Sequence, residues 1–312
     1  MAGHVTRVTF TAAPCPTVYT RSMMRLGYPA QNLTIPETTN RTLRMKSLRD
    51  VERLKTLIRE NITGLKNILG WNAERGIGLF RIGQDLVPFA SHPAFPYDWE
   101  SEHGGELREA GDLARKLGVR LSMHPGQYIQ PASPRPEVAE RGIAELRYTA
   151  RVFDLMCAHD AATVLHMGGA HGDKLGTATR FVEAMRPHVD ILGYLALEND
   201  ERTWTASEVV EASRALNIPA IIDSFHHGLN PGGLTLREAL DLSLPTWETR
   251  AIRPKLHISS QDPDKRPGGH AYSVNARDWE ELLAALGGRD ADVMVEAKGK
   301  EQALAVMGVR VE

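Results

Sequence analysis

The chain has 312 residues, of which 42% are hydrophobic and 24% charged, with 37 Lys+Arg against 39 Asp+Glu. Such a chain can bury a large core, as one big domain or two ordinary ones, and its composition excludes wholesale disorder, a collagen-like repeat and a disulfide scaffold. The apolar runs, such as Pro219–Ile222 and Val293–Val295, are strand-sized, so no membrane partner is expected. Only two cysteines occur, Cys15 and Cys157, and no signal-peptide-length apolar stretch opens the chain, so a reducing, cytoplasmic setting is expected. Cys157 lies in an apolar helical pattern and reads as a packed core thiol. The net charge of −2 carries no nucleic-acid signature by itself, but residues 1–60 hold 10 Lys/Arg and 4 acids against 27 and 35 in the remainder. That early segment is either a basic patch for a polyanion or a solvated helix face.

Taken in chain order, short apolar runs alternate with amphipathic stretches. The strand candidates are Ser22–Tyr28, Leu79–Ile82, Arg120–His124, Thr163–His166, Leu195–Glu198, Ala220–Asp223, Lys255–Ile258 and Asp292–Glu296. Helical spacing follows in Leu48–Val51–Leu54–Leu57–Ile58, in Leu107–Leu113–Leu117 and in Val209–Ala212–Leu216. Thr205 with Glu208 three residues on predicts a capping box. Gly118, Gly176, Asn217–Pro219 and Gly287–Gly288 punctuate the units. Eight strand-then-helix units predict a single (β/α)8 TIM barrel over residues 21–312, with residues 1–20 as an N-terminal extension. A doubly wound sheet would carry a glycine-rich phosphate turn after its first strand, and LGYPAQN is not one.

Catalytic groups of such a barrel sit at the carboxyl ends of its strands. Here six consecutive strands end in acidic or imidazole side chains: His124, His166, Glu198, Asp223 with His226, Lys255 with His257, and Glu296. His270 follows the seventh strand in PGGHAY, and His92 follows the second in PFASHP. One such histidine is ordinarily a hydrogen-bonded structural residue. Six strand ends converging on one mouth cannot hold so many carboxylates and imidazoles without cations between them. Nitrogen and oxygen donors without cysteine suit Mn²⁺, Zn²⁺ or Fe²⁺, and the donor count predicts two or three ions. Ions shared by Glu198 and Asp223 would polarise a phosphoryl or carbonyl oxygen and make hydroxide available near neutrality. Lys255 points outward to a helix carboxylate, or is a neutral amine, or is a carboxylated, anionic ligand.

At these residues the sequence resembles the UV damage endonuclease family, related in fold to endonuclease IV. The match runs from about Met24 to Glu296 through RLGYPAQN, FRIGQDLVPFASHP, LSMHPGQY, VLHMGG, LALEND, IDSFHH, PKLHISSQ, the His270 loop and VEAKGK. The resemblance implies a cut in double-stranded DNA immediately 5′ of cyclobutane pyrimidine dimers and 6-4 photoproducts, leaving a 3′-hydroxyl and a 5′-phosphate. It implies up to three divalent ions, Mn²⁺ favoured over Zn²⁺, Mg²⁺ or Co²⁺, held by His124, His166, Glu198, Asp223, His226, His257, His270 and Glu296. It makes Glu198, Lys255 and His92 catalytic candidates, with Lys255 as a carboxylysine. Tyr28, Gln127 and Tyr128 match residues that probe the lesion, and Asn32 a position near the scissile phosphate.

A planar amide and a ring in the HPGQY loop suit the gap left by a poorly stacked dinucleotide, although an ordinary turn would read the same way. The basic run from Arg41 to Arg59 would then meet phosphates. The expected protein is a monomer, nucleoid-associated when on DNA. An abasic-site endonuclease of the endonuclease IV type, a metal-dependent sugar isomerase on the same barrel, and a catalytically silent DNA-binding protein are the alternatives.

Overall fold

A computed structural model describes residues 24–311. The proposed extension at residues 1–20, Cys15 and the first residues of the expected strand Ser22–Tyr28 lie outside that range.

Eight parallel strands form a ring: β1 (Leu26–Pro29), β2 (Leu79–Arg81), β3 (Arg120–Met123), β4 (Ala162–His166), β5 (Leu195–Glu198), β6 (Ala220–Ile221), β7 (Lys255–Ile258) and β8 (Asp292–Val295). Their spatial order, β6-β5-β4-β3-β2-β1-β8-β7, follows the chain around the barrel. Closure between β6 and β7 rests on one bridge, Asp223 to His257, where the His257 N–H donates to the Ile222 carbonyl at 3.0 Å. Between the strands run α1 (Val51–Glu74), α2 (Trp99–Leu117), α3 (Pro136–Met156), α4 (Lys174–Met185), α5 (Val189–Leu192), α6 (Ala206–Leu216), α7 (Ser224–Leu229), α8 (Leu236–Ser243) and α9 (Ala276–Leu286). The eighth unit differs from expectation. Its helix is the 3-10 segment Lys300–Met307.

Side chains that end these elements explain their limits. Asp50 and Asp98 cap α1 and α2 through the N–H groups of Arg53 and Ser101. The Thr205–Glu208 capping box forms, with the Thr205 N–H donating to Glu208 Oε2 at 2.9 Å. Gly118 and Gly287 stop α2 and α9 at positive φ. Gly176, expected as punctuation, instead lies in the first turn of α4, where its N–H meets the capping Asp173. Cys157 is also not the core thiol expected, because α3 stops one residue before it and leaves it half-buried in a left-handed cap.

Strand alternation divides the core in two. One face of the strands supplies Phe80, Leu121, Val293 and Val295 to a layer under Leu54, Ile58 and Leu65 of α1 and Val152 and Phe153 of α3. Each such aliphatic side chain contributes about 1.5–3 kcal/mol on burial. The other face fills the barrel with small and apolar groups, including Ala162, Val164, Ala196 and Ile221, packed on Trp247. The amino-terminal end is plugged: the Trp247 indole N–H donates to the Ala220 carbonyl at 2.8 Å, and the buried Arg120 pairs with Asp292 at 2.9 Å. Gly27 is required where β1 meets β2, since a Cβ there would sit 1.9 Å from the Leu79 carbonyl oxygen. Hydrophobic filling below leaves the polar strand ends to face one another at the opposite rim.

Candidate metal centre at the barrel mouth

His124 stands one residue past β3, His166 and Glu198 end β4 and β5, Asp223 caps α7, His257 is the third residue of β7, and Glu296 stands just past β8. Side-chain donors of these residues form two groups, each with its atoms within 4.8 Å of one another: His124, His166 and Glu198; and Glu198, Asp223, His257 and Glu296. Glu198 belongs to both. Its Oε2 faces His124 Nε2 at 3.1 Å and His166 Nε2 at 3.5 Å, while Oε1 faces His257 Nδ1 at 2.5 Å. A carboxylate with one oxygen in each set is built to be shared.

His226, in the first turn of α7, and His270, in the β7–α9 connection, stand beside these sets with ring centroids 5.9 Å apart. No carboxylate completes a third set around them among the described residues. Three imidazoles have the orientation that metal ligation requires. Nδ1 of His124 faces the Pro125 carbonyl at 3.1 Å, that of His226 the Asn199 carbonyl at 3.1 Å, and that of His270 the Glu296 carbonyl at 2.6 Å. A carbonyl only accepts, so each Nδ1 carries a hydrogen, and Nε2 is the nitrogen that offers a lone pair once the ring is neutral.

Electrostatics point the same way. Burial alone would raise the Glu198 carboxyl, but His257, His166 and His124 outweigh it and hold the group well below the ordinary carboxylate range. Glu296 is held down likewise, by Arg81 and then His257, against burial. Burial, reinforced by Arg81, pushes His124 down to about 4, which leaves a neutral donor. His226 rises to about 9 because Asp223, Glu198 and Glu296 overcome the effect of burial. Asp223 is fully buried, and its Oδ2 has no hydrogen-bond partner, nor does Nδ1 of His166. Buried anions, lone pairs aimed inward and an orphaned carboxylate oxygen fit a divalent cation centre.

Lys255 shares the inward face of β7 with His257, fully buried, and its Nζ has no partner. It therefore does not point outward to a helix carboxylate. Burial, then Arg81 and Arg120, lowers its pKa well below the ordinary lysine value. Gln127 and Tyr128 form an exposed turn at the mouth. Tyr128 is 67% exposed, with its hydroxyl accepting from Gln84 Nε2 at 2.5 Å. Gly126 leaves room for that ring, since a Cβ would lie 2.6 Å from it. Gln127, His124, His226 and His270 all line one cavity of about 520 Å³, which also reaches Arg81, Gln130 and Arg202.

Other sequence-predicted residues do not join the site. Tyr28 is fully buried against Phe80, and its hydroxyl donates to Asn72 at 2.8 Å while accepting from Asn32. A lesion-probing role does not fit a side chain so enclosed. Asn32 is 6% exposed, and its Oδ1 accepts the Thr34 and Ile35 N–H groups, so it builds the loop after β1. His92 belongs to the β2–α2 connection, where its Nδ1 accepts from the Ala94 N–H, and it is in neither donor set. The basic run divides. Arg41 pairs with Glu60, and Lys55 and Arg59 pair with Glu102, whereas Arg44, Lys46 and Arg49 are exposed without ion pairs among the described residues. Arg81, which the sequence reading passed over, ends β2 within the cluster, bonded to Glu296 and 3.3 Å from His257 Nε2.

Fold and mouth together define a (β/α)8 barrel with an imidazole–carboxylate centre at the carboxyl ends of its strands. The UV-endonuclease UvdE family profile matches residues 24–310, and the chain belongs to that family. The UV DNA damage endonuclease of Bacillus pumilus is 32% identical over 292 residues, covering 90% of this chain and 91% of that protein. The UV-damage endonuclease of Schizosaccharomyces pombe is 36% identical over 303 residues, and there the chain spans about half (49%) of a longer protein. The crystal structure of SacUVDE superposes with a TM-score of 0.84 at 32% identity, over 91% of this chain and 97% of that one. Endonuclease IV from Thermus thermophilus shares the fold, with a TM-score of 0.55 and 15% identity over 78% of this chain and 90% of that one. No helix among the described residues is long and apolar enough to cross a membrane.

Proposed function

We propose that this chain is a DNA-repair endonuclease that hydrolyses one phosphodiester immediately 5′ of cyclobutane pyrimidine dimers and 6-4 photoproducts, leaving a 3′-hydroxyl and a 5′-phosphate. The observation that carries this reading is Glu198, shared by two adjoining donor sets at the mouth of a UvdE-family barrel. His124, His166 and Glu198 would hold one divalent ion, and Glu198, Asp223, His257 and Glu296 a second. His226 and His270 would take a third, with Mn²⁺ the first candidate and Zn²⁺, Mg²⁺ or Co²⁺ alternatives. When bound, such ions polarise phosphoryl oxygens and lower the pKa of water.

The chain's own residues do the rest. Carbonyls of Pro125, Asn199 and Glu296 fix three imidazoles, so the donors are set before substrate arrives. Lys255 is proposed as a carboxylysine: a carbamate would turn its repulsion by Arg81 and Arg120 into attraction and give the buried Nζ partners. Gln127 and Tyr128 are proposed to engage the lesion, where a distorted dinucleotide is already poorly stacked. Arg44, Lys46 and Arg49, on the connection leaving the carboxyl end of β1, offer phosphate contacts on the same rim. His92 is proposed as a further catalytic candidate, carried on the β2–α2 connection. The working protein is proposed to be a cytoplasmic monomer, with residues 21–312 as its catalytic barrel.

The test is incubation with UV-irradiated, intact and abasic duplexes in Mn²⁺, mapping each nick. Cleavage confined to the irradiated duplex, 5′ of dipyrimidines, is expected. Cleavage of the abasic duplex alone would assign the endonuclease IV type of activity instead.

A further inference from the structure

Arg81 is a buried cation in a centre meant for other cations. It is 7% exposed, donates to Glu296 Oε1 and stands 3.3 Å from His257 Nε2. Both partners belong to the donor set Glu198, Asp223, His257 and Glu296. We propose that Arg81 is a cation placeholder for that set: it balances the carboxylates before metal is bound and must withdraw from Glu296 and His257 when a divalent ion enters. This rests on the metal-centre reading above.

Donor geometry makes the two states exclusive. A guanidinium has donors only, so opposite Arg81 the His257 Nε2 accepts and the ring hydrogen sits on Nδ1. That Nδ1 points at Glu198 Oε1, 2.5 Å away, and Glu296 Oε1, 2.9 Å away. An ion held among these carboxylates would take the Nδ1 lone pair, and the hydrogen of the neutral ring would then belong on Nε2. There it would face an Arg81 N–H, donor against donor. Glu296 Oε1 faces both Arg81 and His257 Nδ1, so the two cations would contest it as well. Two cations a few ångströms apart in a largely buried site repel strongly, whereas a guanidinium facing an anion gains from its fork of donors.

Arg81 is on this view a competitor for the donor set and not a catalytic residue, and its signature is metal affinity. Mn²⁺ binding to the full chain without DNA, measured by calorimetry for wild type and Arg81→Gln, is the test. Removing the competitor should tighten at least one site about tenfold or more, the usual scale of coupled equilibria. A variant that binds Mn²⁺ equally or more weakly would mean that Arg81 orients Glu296 for the metal, and the proposal would be overturned. Should the variant not fold, wild-type crystals with Mn²⁺ decide: the guanidinium should be off both partners, and finding it bonded to both with an ion in the set overturns the idea. Cleavage of irradiated duplex by wild type is scored separately. Its loss would sink the endonuclease reading while leaving an affinity gain in Arg81→Gln standing.

Discussion

Oε1 of Glu198 lies 2.5 Å from Nδ1 of His257, across the barrel from β5 to β7, with both side chains buried. The other oxygen of Glu198 meets His124 and His166, so one carboxylate joins both donor sets. Glu198→Ala is therefore expected to lower metal content more than any other single ligand change. Losing several kcal/mol of electrostatic stabilisation corresponds to about a thousandfold or greater fall in nicking. Elemental analysis beside a nicking assay checks this, and normal metal content in the variant would refute the shared role.

Gln127 and Tyr128 are exposed, so Gln127→Ala with Tyr128→Ala should change stability by no more than about 0.5 kcal/mol. Metal content should also hold. Preference for irradiated over intact duplex should fall about tenfold, since stacking on one base is worth about 1–3 kcal/mol. Unchanged discrimination would make the turn a plain structural one.

Tyr28→Phe should behave in the opposite way. Its hydroxyl joins Asn72 and Asn32 inside the protein. Deleting it leaves Asn72 Oδ1 and Asn32 Nδ2 without that partner, at a cost of about 1–2 kcal/mol in urea unfolding, with discrimination between damaged and intact DNA retained. A variant of wild-type stability that loses discrimination would restore Tyr28 to the lesion.

His226 sets a pH dependence. Its folded-state pKa of about 9 exceeds the ordinary 6.5, so folding favours the protonated ring. That stabilisation of the metal-free protein is complete below 6.5 and is lost as pH rises through 9. A metal needs the neutral ring, so between 6.5 and 9 each ion bound at His226 releases a proton. Affinity there should climb about tenfold per pH unit. Calorimetry in buffers of different ionisation enthalpy reads that proton; its absence would exclude His226 as a ligand.

Lys255 gives a spectroscopic prediction. Its pKa is lowered, so the folded protein carries a neutral amine over a pH range where the unfolded chain is protonated, and this contribution to stability is lost as pH falls through the folded pKa. With ¹³C-bicarbonate at a pH above about 8, a carbamate resonance is expected that disappears in Lys255→Ala and fades in acid. Lys255→Arg should not restore cleavage, because a guanidinium keeps its charge. A metal-loaded protein without that resonance would leave a plain amine.

The barrel was legible in the sequence because eight strand-sized runs alternate with helical spacing, and seven of those strands begin within one residue of their expected positions, from Leu79 to Asp292. The mouth was legible because parallel strands bring their last residues to one rim, so His124, His166, Glu198 and His257 could be placed without tertiary information. Depth was not. Tyr28 neighbours Gly27 on β1 and faces α1, and only packing against Phe80 and Asn72 reveals this. The basic run divided because Glu102, the partner of Lys55 and Arg59, lies more than forty residues away on α2. Arg81 ends β2 as the ligands end their strands, but a guanidinium carries no metal-ligand signal in sequence, and only its contacts with Glu296 and His257 place it in the cluster.

The central claim is that adjoining metal sites meet at Glu198. Anomalous diffraction from Mn²⁺-loaded crystals tests it most directly. Peaks on both sides of the Glu198 carboxylate, one toward His124 and His166 and one toward Asp223 and Glu296, are predicted; a fully loaded, active protein with no manganese touching Glu198 would contradict the account.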